Sequence, residues 1–262
     1  RHIVYNALVN KDGYYEMNFE QLEMQAKDPK TKLILVCSPQ NPSGRLWTKE
    51  ELTRMGNICI DNGVKVVVDE IHSDLILTDR EFVSFATISD KFAQNSIICT
   101  SPSKSFNVAG LLVSDIIIPN DEMRAAFQEK MQPYYLWPGA FGAVAQIAAY
   151  NESEEWLEEL KEYLRGNAQF IADFIQKRMP KVKYRIPEAT YLGWLDFRAY
   201  GMTDQELWDF MCHKAKVATD DGPKFGPNGE AGGFQRINFS CPRAQLEEAL
   251  NRIAEALDSL QK

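Results

Sequence analysis

Histidine is scarce in this sequence: His2, His72 and His213 are the only three in 262 residues. That is too few, too widely spread, for a multi-histidine metal centre. Positive charge is in deficit, with 29 Lys and Arg against 37 Asp and Glu and a net charge of -8. No basic cluster rises from that background, which argues against a nucleic-acid or anionic-membrane partner. No apolar run approaches the ~20 residues that cross a bilayer. The five cysteines, Cys37, Cys59, Cys99, Cys212 and Cys241, lack C-x-x-C spacing, so they form neither a zinc ribbon nor a redox pair and fit a reducing, cytoplasmic setting. Neither G-x-G-x-x-G nor G-x-x-x-x-G-K-[ST] occurs, and there are no repeats or low-complexity segments. What is present is 45% hydrophobic residues, enough to build the core of one large or two medium domains around a small-molecule partner.

The first half reads as strands separated by helices. Residues 5 to 17 begin in an extended form and turn around Asp12-Gly13, and Asn18 to Ala26 has helical spacing. Leu33 to Cys37 is a continuous apolar run of the kind found in buried parallel strands. Thr48 with Glu51 predicts a capping box, and Gly63 a helix end. Val64 to Val68 follows as the next strand. A strand-helix-strand unit of this length is right-handed, which brings Asn41 and Asp69 to one edge of a single sheet. Ser96 to Thr100 adds a third strand with Lys104 at its exit, and Leu111 to Ile118 a fourth.

Asn120 opens a further helix reaching about Lys130, Met131 to Gly142 is irregular and aromatic, and Ala143 to Tyr150 is helical. A long amphipathic helix then runs from Ser153 to Pro180 with Trp156, Leu160, Leu164, Ile171 and Ile175 on related faces. Strands are predicted at Val182 to Ile186, Tyr191 to Phe197 and Gln235 to Ser240, with a second capping box at Thr203 and Glu206 and a closing helix from Pro242. Gly222 to Gly233, with five glycines and two prolines, reads as the most loop-like part. The predicted fold is α/β: a mostly parallel large domain over residues 1–150, then a smaller α+β domain with alternating strands over 151–262.

Three strand exits carry distinctive polar groups, and in open α/β sheets that edge holds the chemistry. Lys104 stands among Ser101, Ser103 and Ser105. By itself this is either an ordinary surface lysine in a serine-rich turn or an amine placed to hold an aldehyde, with hydroxyls short enough to bind a phosphate. Asp69 leaves an apolar strand, where a buried carboxylate needs a cationic partner. Its other reading is a cap for the next turn. Asn41-Pro42, taken alone, is a turn.

Five motifs taken together go further: Ser38-Pro39-Gln40-Asn41-Pro42-Ser43-Gly44, Asp69-Glu70-Ile71-His72, Ser101-Pro102-Ser103-Lys104-Ser105-Phe106-Asn107, Thr190-Tyr191-Leu192-Gly193-Trp194-Leu195-Asp196 and Arg236-Ile237-Asn238-Phe239-Ser240-Cys241-Pro242-Arg243. In this order they resemble the fold-type I enzymes that use pyridoxal 5'-phosphate, and among them the MalY/PatB-like aminotransferase and cystathionine β-lyase (C–S lyase) group. The resemblance runs from Tyr5 to near the C-terminus.

It implies pyridoxal 5'-phosphate as cofactor, Lys104 as the amine that holds it and moves the Cα proton, Asp69 as partner of the ring nitrogen, Asn41 as donor to the phenolate oxygen, and Ser101 and Ser103 as phosphate ligands. Arg236 resembles the arginine that clamps the substrate carboxylate; its other reading is a surface salt bridge. His72 stands where classical aminotransferases have tyrosine and reads equally as a structural histidine or a cofactor contact. Leu112 stands where many of these enzymes have a phosphate-binding arginine, an absence shared by the MalY/PatB-like group.

The implied reaction is β-elimination at cystathionine or cysteine S-conjugates, releasing thiol, pyruvate and ammonia. Transamination is the alternative, and an inactive folded module for binding or dimerisation a third. The resemblance also implies a homodimer. Family members carry a sizeable portion ahead of the position of Arg1, with a phosphate loop and a ring-stacking aromatic, so a fragment is expected here.

Overall fold

The computed structural model describes residues 2–226 and 228–260. Arg1, on which the expectation of a fragment rests, and Pro227 of the glycine-rich stretch lie outside them.

The chain opens on a hairpin, β1 (Val9–Lys11) and β2 (Tyr14–Glu16). Its two-residue turn places Asp12 and Gly13 at φ 51° and 85°, the backbone that Asp-Gly favours between antiparallel strands. Helix α1 (Phe19–Lys27) starts on Asn18, whose side chain accepts the Gln21 N–H. Strand β3 (Leu33–Cys37), helix α2 (Lys49–Asp61) and strand β4 (Lys65–Asp69) then form the expected βαβ unit. The capping box is complete: Glu51 N–H donates to Thr48 Oγ1 at 3.1 Å and Thr48 N–H to Glu51 Oε2 at 2.7 Å. Short helix α3 (Asp90–Ala93) leads to β5 (Ser96–Thr100), and the one-turn helix α4 (Pro102–Ser105) follows it.

Strands β3, β4 and β5 are parallel neighbours, and the antiparallel β6 (Asp115–Ile117) closes the sheet beside β5. This sheet is mostly parallel, as predicted, but two expectations are corrected. The fourth strand is shorter than Leu111 to Ile118, because a 3-10 turn at Ala109–Leu111 and left-handed Leu112 (φ 51°) reverse the chain first. And β3 is an outer strand with Leu33 and Leu35 exposed. A uniformly apolar strand is buried only if both faces and its edge are covered, and no described strand pairs with the outer edge of β3. One face does build a core, where Val66, Val68 and Ile98 pack with Leu52, Met55 and Cys59 of α2.

Helices α5 (Asp121–Met131), α6 (Ala140–Glu152) and α7 (Glu154–Arg178) come next. Helix α6 begins three residues before the expected Ala143, and in the long α7 Leu164, Ile171 and Ile175 are buried while Trp156 is exposed. The second sheet is antiparallel, ordered β7 (Lys183–Tyr184), β8 (Leu192–Asp196), β10 (Phe234–Asn238), β9 (Asp220–Asp221). All five residues of β8 are buried, so its expected in-out alternation is absent: both its faces are covered. Helices α8 (Asp204–Asp209), with its capping box, and α9 (Arg243–Leu260) complete the chain. The largest apolar cluster joins α7, α9 and β8 to Leu75 and Leu77 of the first half.

Candidate active site

Parallel pairing sets Cys37, Asp69 and Cys99 side by side, so the three strands end level. Asn41, Asp69 and Lys104 therefore emerge from one edge. Ser101 caps α4: its Oγ accepts the Ser103 N–H at 3.0 Å, lies 2.7 Å from Ser103 Oγ and donates to Val113 O at 2.7 Å. A hydroxyl carries one proton, so the Ser101 donor is spent on the backbone and the Ser103 hydroxyl is the more adaptable of the two. Ser105 Oγ anchors the far end of the turn on Asp74 at 2.6 Å. Between these anchors, Lys104 forms no ion pair and no side-chain hydrogen bond among the described residues.

His72 is buried, its Nδ1 has no hydrogen-bond partner among the described residues, and its ring meets Tyr191 edge-on at 5.5 Å. Burial, with the positive charges of Lys104 and Arg236, pushes its pKa down to about 4. The imidazole is neutral at pH 7, and the lysine and arginine converge on it from elements far apart in the chain. Asp69 corrects an expectation. Its carboxylate is exposed, not buried, and accepts the Ile71 N–H at 3.1 Å, because no described residue covers that end of the strand. Its charge still reaches its neighbours: burial first, then Asp69, raises the Cys37 thiol to about 11. The buried carboxyl here is instead Glu70, which accepts the Phe85 N–H at 2.9 Å and is pushed up chiefly by burial.

Arg236 reaches across from β10. Its Nη1 donates to Asn41 Oδ1 at 2.8 Å, while Nε and Nη2 donate to Asp220 Oδ2 at 3.2 and 2.6 Å. Because Asn41 spends its carbonyl on the arginine, its amide NH₂ is left to donate elsewhere. Phe225 lies under the guanidinium, 4.6 Å from ring centre to Cζ. The structure thus brings Lys104 and Arg236 to His72 and Asn41 to Arg236, and adds Tyr191, Asp220 and Phe225. Tyr191 lies within one of the five motifs; Phe225 belongs to the Gly222 to Gly233 stretch read as loop and Asp220 lies just ahead of it, where nothing local marks a partner of Arg236.

Residues 3–253 match the sequence pattern of the aminotransferase class I and II family. The chain belongs to that family. Among relatives, it is 46% identical over 258 residues to cystathionine beta-lyase PatB of Bacillus subtilis, covering 98% of this chain and 66% of that protein. It is 34% identical to protein MalY of Escherichia coli over 94% of this chain and 62% of MalY. Among solved structures, cystalysin from Treponema denticola, which contains pyridoxal 5'-phosphate, superposes with a TM-score of 0.96 at 37% identity, over 99% of this chain and 66% of that one. A PLP-bound putative aminotransferase from Clostridium difficile gives 0.95 at 42% identity, over 98% and 66%. The chain therefore spans about two thirds, or slightly less, of the length of these class I and II relatives.

Proposed function

We propose that this chain supplies the lysine, the carboxylate and the arginine of a pyridoxal-phosphate-dependent carbon–sulfur β-lyase acting on cystathionine or cysteine S-conjugates. The observation that carries the reading is Lys104 at the exit of the parallel strands, with no ion pair among the described residues, beside a neutral, buried His72 and an Arg236 held from β10. The residues fit the cofactor: an amine for the aldehyde, the Asn41 amide for the phenolate oxygen, the Asp69 carboxylate for the ring nitrogen, and the Ser103 hydroxyl for the phosphate, with Ser101 holding the turn. When bound, the cofactor supplies a ring that stabilises negative charge developing at the substrate Cα. Arg236 binds the α-carboxylate in its fork. Lys104 would hold the cofactor, and as a free amine its Nζ would take the substrate Cα proton. The neutral His72 adds no third positive charge beside Lys104 and Arg236. With one water consumed, the products are a thiol, pyruvate and ammonia. Relatives named cystathionine beta-lyase and C–S lyase support elimination.

Transamination is the second reading, favoured by the family itself and by the aminotransferases among the neighbours. Product formation without a keto-acid acceptor separates the two. The proposal includes a homodimer, supported by the exposure of the large apolar side chains Leu112, Trp137, Phe141 and Val144. No described helix is long and apolar enough to cross a membrane.

The test is to incubate the chain with pyridoxal 5'-phosphate, reduce with borohydride and map the adduct by peptide mass. A single pyridoxyl group on Lys104, absent in Lys104→Ala together with the cofactor's absorbance, is the expected result. Label spread over many lysines, or unchanged in Lys104→Ala, removes the assignment.

A further inference from the structure

We propose that Asp220 and Phe225 are positioning residues that hold Arg236 open for a carboxylate, so that the glycine-rich stretch after β9 is a support for the arginine. The inference rests on the clamp role given to Arg236 above.

Strand β9 is only two residues long, yet it pairs in register, Asp220 opposite Arg236 and Asp221 opposite Gln235. Each rung is closed by side chains. Gln235 Nε2 donates to Asp221 Oδ1 at 2.9 Å, and Thr219 Oγ1 to Gln235 Oε1 at 2.6 Å, while Asp220 takes Nε and Nη2 of Arg236. Cross-strand neighbours point to the same face, so this pairing aims Asp220 at the arginine. The turn behind it requires glycine: a Cβ on Gly222 would lie 2.1 Å from Ala231 O and 2.7 Å from Phe234 O. Phe225 is fixed in turn by Trp194, edge-on at 5.6 Å.

A guanidinium has five N–H donors. Asp220 takes two and Asn41 one, which leaves one on each terminal nitrogen. Two N–H groups are what the two oxygens of a carboxylate bind. With its edge held by Asp220 and its face by Phe225, the arginine has already lost the rotamer freedom that binding would otherwise cost. Asp220 also repels an incoming carboxylate. Its side chain is 47% exposed, and Lys224 Nζ lies 3.9 Å from its other oxygen, so that repulsion is screened while the hold on Arg236 is direct.

The experiment is heteronuclear NMR of the arginine Nε–H groups in the ligand-free chain, with acetate as probe and acetamide as control. The Arg236 signal is assigned by its loss in Arg236→Lys. In the wild type, acetate should shift it saturably and acetamide should not. Asp220→Ala should weaken acetate binding about tenfold, because the guanidinium loses the two hydrogen bonds that hold its edge and must be ordered on binding. Asp220→Asn, which keeps an acceptor oxygen and guards against a folding defect, should fall between, and Phe225→Leu should weaken binding roughly threefold through lost cation–π contact. Acetate binding in Asp220→Ala as tight as in the wild type, or tighter, overturns the inference and makes Asp220 a spectator or a competitor. So does the absence of a saturable shift in the wild type. If acetate still perturbs the Asn41 and Tyr191 amides in Arg236→Lys, the clamp reading itself fails, whatever Asp220 does.

Discussion

His72 is the residue whose protonation the fold opposes most clearly. Its folded pKa of about 4 lies below its ordinary 6.5, so between those values the unfolded chain binds the proton and the native one does not. Stability must then fall as pH drops from about 6.5 to 4 and is unaffected by this group above 7, with a full effect of ~3 kcal/mol. Urea midpoints across that window test it: His72→Asn should flatten the slope between pH 4 and 6.5, and an unchanged slope would assign the acid sensitivity to other groups. The same burial keeps an uncharged ring beside Lys104 at neutral pH.

At the scale of elements, the turn that carries Asn41 is held by its ends. Gln40 N–H donates to Arg45 O and Gly44 N–H to Gln40 O, both at 2.8 Å, and Gly44 O accepts from Glu188 and Ala189 across the molecule. Gly44 sits at φ 68° with the position of a Cβ 2.3 Å from Pro187 Cβ. Gly63, at φ 66°, has open space around that position. The pair separates two costs. Gly63→Ala should lose only the backbone term, about 1 kcal/mol, whereas Gly44→Ala should lose that and a further ~1–3 kcal/mol of overpacking. Chemical denaturation of both variants checks it, and equal losses would refute the steric argument.

Across the whole molecule, Arg45 is the most heavily used side chain. It is 3% exposed and uses all five donors: Nε on Tyr15 O, Nη1 on Leu46 O and Glu188, Nη2 on both oxygens of Glu51. One guanidinium thereby joins the hairpin, the start of α2 and the segment leading into β8. Arg45→Gln leaves Glu51 and Glu188 mostly buried and short of a counter-charge, and a loss of about 3–5 kcal/mol is expected. Arg80 also pairs with Glu188, at 2.9 Å, but is 39% exposed, so Arg80→Gln should cost no more than ~1 kcal/mol. Thermal or urea unfolding that ranks the two variants the other way would rule out this account.

The sequence by itself determined the strand-helix-strand order, both capping boxes, the Asp-Gly hairpin turn, and which residues leave the parallel strands at one edge, because each is written in neighbours a few positions apart. Asn41, Asp69 and Lys104 were legible for that reason, as was the family, through five motifs in order. Only the tertiary structure decided that β3 is an outer strand, that β6 runs antiparallel, that Asp69 is exposed, and that Asp220 and Phe225 hold Arg236. The arginine's contact with Asn41 spans 195 positions and that of Arg45 with Glu188 spans 143. Such pairs follow from how the sheets and helices pack, and no local pattern of apolar and polar residues encodes which distant carboxylate a buried arginine will meet.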